Sequence, residues 1–433
     1  RIGNTPSGPW SDPHGPPWPH SCSQAPPVHE PIIDDLAAPA AAHRCPRAGV
    51  CGGCDWIHLP RTHERALRRA TFADTWQRHG LPAVALDTLE IVEAGDDGLR
   101  DRTDLQLRAR DGRVVFAMFA ASGRGLVDVG ACPALSGPLR DLLEVLRSDP
   151  PPLARASLRL RVAPDGSRGV WIDAANEDIR DLLDEGTWLL RALAADLHVE
   201  IGQRRKSVVV RDDGRPGLAR TPALLPWFTT WLGDVAVPLF LPVGGFSQAG
   251  HRVNRLLTRQ VAAAVAQVDA GAGLTWVELG AGAGNLTIAA LGAGAGRVDV
   301  VENDPTALAG LEQTLEAAAG VAGGVGTPDR VRIHRISMHR AAPQLAELLA
   351  GAGAVLADPP RSGLGATVDT LLELESASSP TALVYVSCFA DTLCADLARL
   401  CGAGWQVRTV TGVDQFPGSS HTEWIVVVAR GDT

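Results

Sequence analysis

VELGAGAGNL, residues 277–286, decides the fold. An apolar β run ends through Glu278 and passes into Gly280, Gly282 and Gly284 before a helical pattern begins. Glycines at such a turn permit positive φ and let a ligand approach the backbone at a helix N-terminus. Taken alone, the loop suits a dinucleotide fold as well as an S-adenosylmethionine fold. Working outward, the runs TWVELG, RVDVVEN, AVLADPP, TALVYVSC and EWIVVVA alternate with Ala/Leu-rich helical stretches from about residue 236 onward. That alternation predicts a parallel-rich, doubly wound α/β sheet over 236–433.

Strand tips of such a sheet gather at one rim, where ligands of open α/β folds bind. The second run delivers Glu302, a carboxylate placed to accept ribose hydroxyls, which both nucleotide classes still allow. In ADPPRSG (357–363) Asp358 closes a third run, and two prolines stiffen the loop by removing backbone donors. Coming after the glycine loop and Glu302, this favours a methyltransferase over a dehydrogenase. Cys388 ends the fourth run at a strand-to-helix turn. A lone thiol is usually packing, but this one stands near a helix N-terminus, which favours a nucleophilic thiolate. Cys394 and Cys401, on the helix that follows, read as core. Close to the end, DQFPGSSHTEW supplies Asp414, His421 and Glu423, the last beginning an apolar run where a carboxyl is either paired or kept for proton transfer. A thiolate, a carboxylate and a methyl-donor pocket together suggest conjugate addition, alkylation and deprotonation.

Upstream the pattern differs. Residues 1–42 are Pro/Gly-rich without a periodic apolar face and read as a flexible tail containing Cys22. Residues 43–84 hold a cysteine cluster and a helix expected over Thr62–His79, with Thr62 as N-cap and Glu64 and Arg68 at i,i+4 spacing. Short alternating runs over 85–235 predict an antiparallel β-rich α+β central domain. CPRAGVCGGC sets Cys45, Cys51 and Cys54 close together, and Cys132 completes a possible four-thiolate set. The irregular spacing and the Gly52-Gly53 pair favour an iron-sulfur cluster, with zinc as the alternative.

The chain has 433 residues, 45% of them hydrophobic and 21% charged, with no apolar run long enough to span a membrane. The Pro-rich start lacks an apolar signal-peptide core, so a cytoplasmic protein is expected. A net charge of -9 speaks against nucleic-acid binding across the whole surface. Charge is uneven, however: seven arginines lie between residues 43 and 79 against Asp55, Glu64 and Asp74, and GQRRKSVVVR (202–211) is also basic.

Together these motifs resemble the RNA uracil-5-methyltransferase family over roughly residues 43–433. FSQAGHRVN (246–254) is similar to that family's F-x-Q segment, ADPPRSG to D-P-P-R-x-G, SCFADTLCADL (387–397) to S-C-x-x-x-T-L-x-x-D-L, and FPGSSHTEW (416–424) to F-P-x-T-x-H-x-E. The four cysteines resemble its [4Fe-4S] branch, whose members act on 23S ribosomal RNA. The resemblance implies S-adenosylmethionine as methyl donor, Cys388 as the nucleophile toward uracil C6 and Glu423 as the base that removes the C5 proton. It also implies that Gln248, Gly280, Gly282, Asn285, Glu302 and Asp358 line the pocket, with Cys45, Cys51, Cys54 and Cys132 on the cluster. The expected partner is RNA, ribosomal sooner than transfer RNA, and the expected state a monomer. This chain departs from the family pattern at Gly250, at Phe389-Ala390 after the nucleophile, at Ala395, and in IHRISMHR (333–340), which lacks a polar residue for the adenine. A non-catalytic RNA-binding protein retaining the fold is the alternative of another class.

Overall fold

The structure is a computed structural model and describes residues 44–110, 112–175, 179–184, 186–321, 329–339, 343–375 and 378–431. The tail expected over 1–42, with Cys22, lies outside the described residues.

Helix α1 (Arg61–Arg78) follows the cysteine segment and begins after Pro60, whose fixed φ suits a helix start, so Thr62 is already inside the helix and caps nothing. One 3-10 turn later, β1 (Glu90–Glu93) leads into the central unit. That unit contains β2 (Arg102–Arg110), β3 (Arg113–Phe119), β4 (Leu126–Asp128), α2 (Gly137–Ser148), β5 (Arg155–Val162), β6 (Arg168–Asp173), α3 (Arg180–Asp184), α4 (Thr187–Ala194), β7 (Leu197–Ile201), β8 (Lys206–Val210) and β9 (Pro216–Leu218). Its eight strands run in the order β4-β3-β2-β5-β6-β7-β8-β9. All neighbours pair antiparallel except β6 and β7, which are parallel because α3 and α4 intervene as a crossover. Leucines of α2, spaced 139, 142, 143 and 146, form its one apolar face and close the core of this sheet.

A hairpin follows, β10 (Leu225–Leu232) and β11 (Val235–Leu241), turning through Gly233 at φ 62°. The last unit contains α5 (His251–Asp269), β12 (Thr275–Leu279), α6 (Asn285–Gly292), β13 (Arg297–Val301), α7 (Pro305–Val321), β14 (Val331–His334), α8 (Pro343–Ala350), β15 (Ala354–Ala357), α9 (Ala366–Glu373), β16 (Ala382–Ser387), α10 (Ala390–Gly402), β17 (Trp405–Asp414) and β18 (Glu423–Arg430). Its sheet runs β1-β17-β18-β16-β15-β12-β13-β14. Strands β12 to β16 pair in parallel, and β12, β13, β15 and β16 are buried on both faces, with apolar clusters above and below. The strand over 423–430 is the exception within the parallel-rich sheet. It is antiparallel to both neighbours, because the eight residues between β17 and β18 are too few for a crossover.

The N-terminal segment completes this sheet. β1 pairs in parallel with β17, Glu90 opposite Thr411 and Glu93 opposite Asp414. Phe72 and Trp76 of α1 are buried in the same cluster as Leu393 and Leu397 of α10, and Phe72 stacks on Trp424 with ring centres 3.7 Å apart. Burying each such side chain contributes roughly 1.5–3 kcal/mol. Among the described residues no helix is long and apolar enough to cross a membrane.

Candidate active site

The rim at the carboxyl ends of β12, β13, β15 and β16 collects the carboxylates and thiol that the strand pattern places there. After β12 the chain turns through Gly280, Gly282 and Gly284 at φ 78°, 58° and 94°, all left-handed values that favour glycine. A Cβ on Gly280 would stand 2.9 Å from the Asp358 carbonyl oxygen, and one on Gly284 would stand 2.6 Å from Leu311. Opposite this loop the Glu302 carboxylate is fixed by three backbone N–H groups, from Gly282 at 3.0 Å, Asn303 at 2.7 Å and Asp304 at 2.8 Å. Glu278 is buried and accepts a hydrogen bond from the Thr287 hydroxyl at 2.5 Å. Burial, assisted by the nearby Asp358 and Glu302 charges, pushes Glu278 up to about 8.

Asp358 connects this cradle to the reactive groups. Burial raises it to about 7. Burial and the Asp358 charge raise Glu423 to about 8, with Arg361 pulling the other way. Cys388 is partly buried, and burial with the Glu423 and Asp358 charges pushes its thiol up to about 11. The Arg361 guanidinium, close to the thiol, opposes that rise. Thiol and carboxyl thus lie close together, near enough that the Glu423 charge makes the thiol harder to ionise.

Gln248 is buried, its Oε1 accepting from Gln415 Nε2 at 3.1 Å, while Gln415 Oε1 is buried with no partner among the described residues. Asn285 behaves differently. Its side-chain amide exchanges two hydrogen bonds with Asn254, each 2.9 Å, tying α6 to α5. Asp414, in the same sequence run as Glu423, is fully buried and paired with Arg61 at 3.0 Å and Arg68 at 3.2 Å. It is a structural anion, as is Glu64, whose Oε1 accepts from Arg68 at 3.0 Å and from the Gly418 N–H at 2.7 Å. Arg68 donates further to the carbonyls of Ser419 and His421 and to the Thr422 hydroxyl. The Glu64–Arg68 pair therefore braces the loop that delivers Glu423.

Sequence reasoning missed Arg361, whose motif was visible but whose role is not. Its carbonyl accepts the Thr392 hydroxyl at 2.9 Å, and three residues on, the Leu364 N–H and the Tyr385 hydroxyl share Asp396 Oδ2 at 2.8 and 2.7 Å. The helix after Cys388 thus pins the loop after Asp358. Gly250 finds an explanation in packing: a Cβ there would lie 1.8 Å from the Leu99 carbonyl oxygen.

The cysteines form a second constellation. Burial raises Cys45, Cys51 and Cys54, the last to about 11; each also feels the Cys132 thiol, and Cys54 feels those of Cys51 and Cys45 as well. Backbone N–H groups of Arg47 and Gly53 donate to the sulfurs of Cys45 and Cys51, both at 3.4 Å. As they stand, no three His, Cys, Asp or Glu side chains among the described residues are gathered tightly enough to hold a single metal ion.

A doubly wound sheet with a glycine-rich first turn, Glu302 after β13 and Asp358 after β15 defines a Rossmann-like methyltransferase. A family model described as tRNA (uracil-5-)-methyltransferase matches residues 347–431. The chain is 34% identical to an uncharacterized RNA methyltransferase of Bdellovibrio bacteriovorus, over 89% of this chain and 95% of that one. It is 29% identical to the 23S rRNA (uracil(1939)-C(5))-methyltransferase RlmD of Halomonas elongata, over 93% and 80%. Its fold is similar to that of the Pyrococcus abyssi tRNA (uracil-54, C5)-methyltransferase solved with S-adenosyl-L-homocysteine, with TM-score 0.59, 17% identity and coverage of 87% and 86%. The chain belongs to the RNA uracil-5-methyltransferase family.

Proposed function

We propose that this chain transfers a methyl group from S-adenosylmethionine to C5 of a uridine in RNA, with 23S ribosomal RNA as the substrate. The observation that carries the reading is the pocket shared by Cys388, Glu423 and Asp358 beside the glycine cradle. Gly280, Gly282, Glu302 and Asp358 would hold the donor. A buried carboxylate that resists ionisation, as Asp358 and the neighbouring Glu278 do, suits a cationic sulfonium, whose charge offsets the cost of ionising it. Bound there, S-adenosylmethionine supplies an electrophilic methyl group that ends on C5.

The chain's own residues do the rest. The Cys388 thiolate adds to C6, and the electron pair of the C5–C6 double bond moves onto C5 and the C4 carbonyl, making C5 nucleophilic. After C5 carries the methyl group, the Glu423 carboxylate takes the C5 proton. The electron pair of that C–H bond re-forms the double bond, the C6–S bond breaks, and the thiolate returns. Arg361 stabilises the thiolate at both ends of the cycle. Gln248 would orient the base, which must leave its stack to reach the pocket.

Cys45, Cys51, Cys54 and Cys132 would hold a [4Fe-4S] cluster. In support, the four thiols share one neighbourhood, two accept backbone N–H groups, and a Cβ on Gly52 or Gly53 would meet the Phe119 carbonyl or Met118 at about 3 Å. A cluster with one iron per thiolate spreads its ligands wider than a single ion does.

The test is transfer from labelled S-adenosylmethionine into 23S ribosomal RNA and transfer RNA that lack 5-methyluridine. Label recovered as 5-methyluridine in the ribosomal RNA is expected. Label in transfer RNA alone would move the target, and label in neither would refute the reading.

A further inference from the structure

The end of the β2–β5 pair, in the middle of the central sheet and facing loop 242–250, carries an arginine cluster that the reaction does not use. Along the antiparallel pair β2–β5, Arg102 stands directly opposite Arg161, and Asp104 opposite Arg159. The second pair is an ordinary salt bridge, Arg159 Nε to Asp104 Oδ1 at 2.6 Å. The first sets like charges across the sheet, which destabilises it unless something else is gained. Arg161 has a structural use: it is buried and donates to the carbonyls of Pro242 and Gly245, fastening the loop.

Arg102 has no such use. Its Nη1 is buried with no hydrogen-bond partner, and no ion pair holds the side chain among the described residues. The guanidinium lies 5.5 Å from the centre of the Phe246 ring, and Phe246 is 72% exposed. The carboxylates nearby are engaged elsewhere: Asp104 with Arg159, Glu200 accepting the Gly244 N–H at 3.0 Å, Asp101 accepting the His251 N–H at 2.8 Å. Burial, with the Arg159 and Arg100 charges, lowers Arg102 to about 10, so it remains a cation at neutral pH. Two residues past Phe246 the same loop turns Gln248 inward to Gln415, so Phe246 flanks the residue expected to orient the base.

We propose that Arg102 and Phe246 form a subsite for the nucleotide flanking the target uridine, the guanidinium taking its backbone phosphate and the free face of the phenyl ring stacking its base. A phosphate would give the orphaned guanidinium an anionic partner and relieve its repulsion with Arg161. The aromatic ring accepts any base, because every base has a π face. The inference rests on the RNA reading above.

Its test is filter binding of unmodified 23S ribosomal RNA across a salt series, with S-adenosylmethionine affinity measured alongside. Arg102→Gln should weaken RNA binding about tenfold and flatten the plot of log affinity against log salt by roughly one contact. Arg102→Lys should restore the slope. Phe246→Ala, at an exposed position that folding does not need, should weaken binding about tenfold with the slope unchanged. Wild-type slope and affinity in both Arg102→Gln and Phe246→Ala would overturn the subsite while leaving the reaction intact. Failure of the wild type itself to bind RNA would overturn the reading beneath it.

Discussion

Arg361 is the residue on which the chemistry of Cys388 turns. A thiol pushed up to about 11 holds little thiolate at neutral pH, and the Arg361 guanidinium is the nearby cation that opposes the rise. Arg361→Gln should slow alkylation of Cys388 by iodoacetamide at pH 8 by tenfold or more and move the alkaline limb of the pH-rate profile upward; unchanged alkylation would remove Arg361 from this role. Glu423 gives a pH signature in the protein without ligands. Its carboxyl is raised to about 8 in the fold against an unfolded value near 4.3, so the folded state keeps a proton that the unfolded state has lost. Stability from this group is full below about pH 4 and is lost as pH rises toward 8. Thermal melts of wild type should therefore fall relative to those of Glu423→Gln between about pH 5 and 8, and parallel curves would contradict the assignment. Cys388, Glu423 and Asp358 were legible in the sequence because strand ends and motif spacing mark them. Arg361 was not, because its role depends on two adjacent strand tips meeting through Thr392 and Asp396. Nor was the Asn285–Asn254 exchange, which depends on how α6 meets α5.

Among the elements, α1 has the least expected part. Its Glu64–Arg68 spacing reads as a surface pair worth a few tenths of a kcal/mol. The fold buries both side chains and adds Asp414 and the carbonyls of Ser419 and His421 from more than three hundred residues away. Sequence periodicity reports local neighbours, so no local pattern foretells partners at that separation. Breaking such a buried set by removing one member costs about 3–5 kcal/mol, because a charge is left unpaired. Arg68→Met should lower thermal stability by that order and reduce methyl transfer, since the brace holds the loop before Glu423; a melt within a degree of wild type would argue that the network is slack. The same reasoning accounts for three of the seven arginines over residues 43–79. Arg61, Arg65 and Arg68 are spent on Glu64, Glu93 and Asp414 and are not free for phosphates. The antiparallel course of β18 was equally hidden, because its run of valines reads alike in either direction. The eight-residue link before it decides the matter.

At the scale of the whole molecule the N-terminal segment closes on the last strands: β1 extends the catalytic sheet, α1 covers α10, and Trp56 and Ile57 lie against Gly418. Folding of the cysteine segment is thereby coupled to the base-bearing loop. Cys51→Ser should lower the yield of soluble protein and its iron content, from about four per chain, more than it alters turnover of the folded fraction. Normal yield with selective loss of methyl transfer would show instead that the cluster takes part in the reaction. The account as a whole rests on a covalent bond between Cys388 and C6 of a uridine. The most direct measurement is denaturing electrophoresis of the protein incubated with S-adenosylmethionine and unmodified 23S ribosomal RNA. Glu423→Gln should accumulate an adduct that resists denaturation, and Cys388→Ala and the Cys388→Ala, Glu423→Gln double variant should form none. An adduct that survives in the absence of Cys388, or no adduct in Glu423→Gln despite methyl transfer by the wild type, would contradict it.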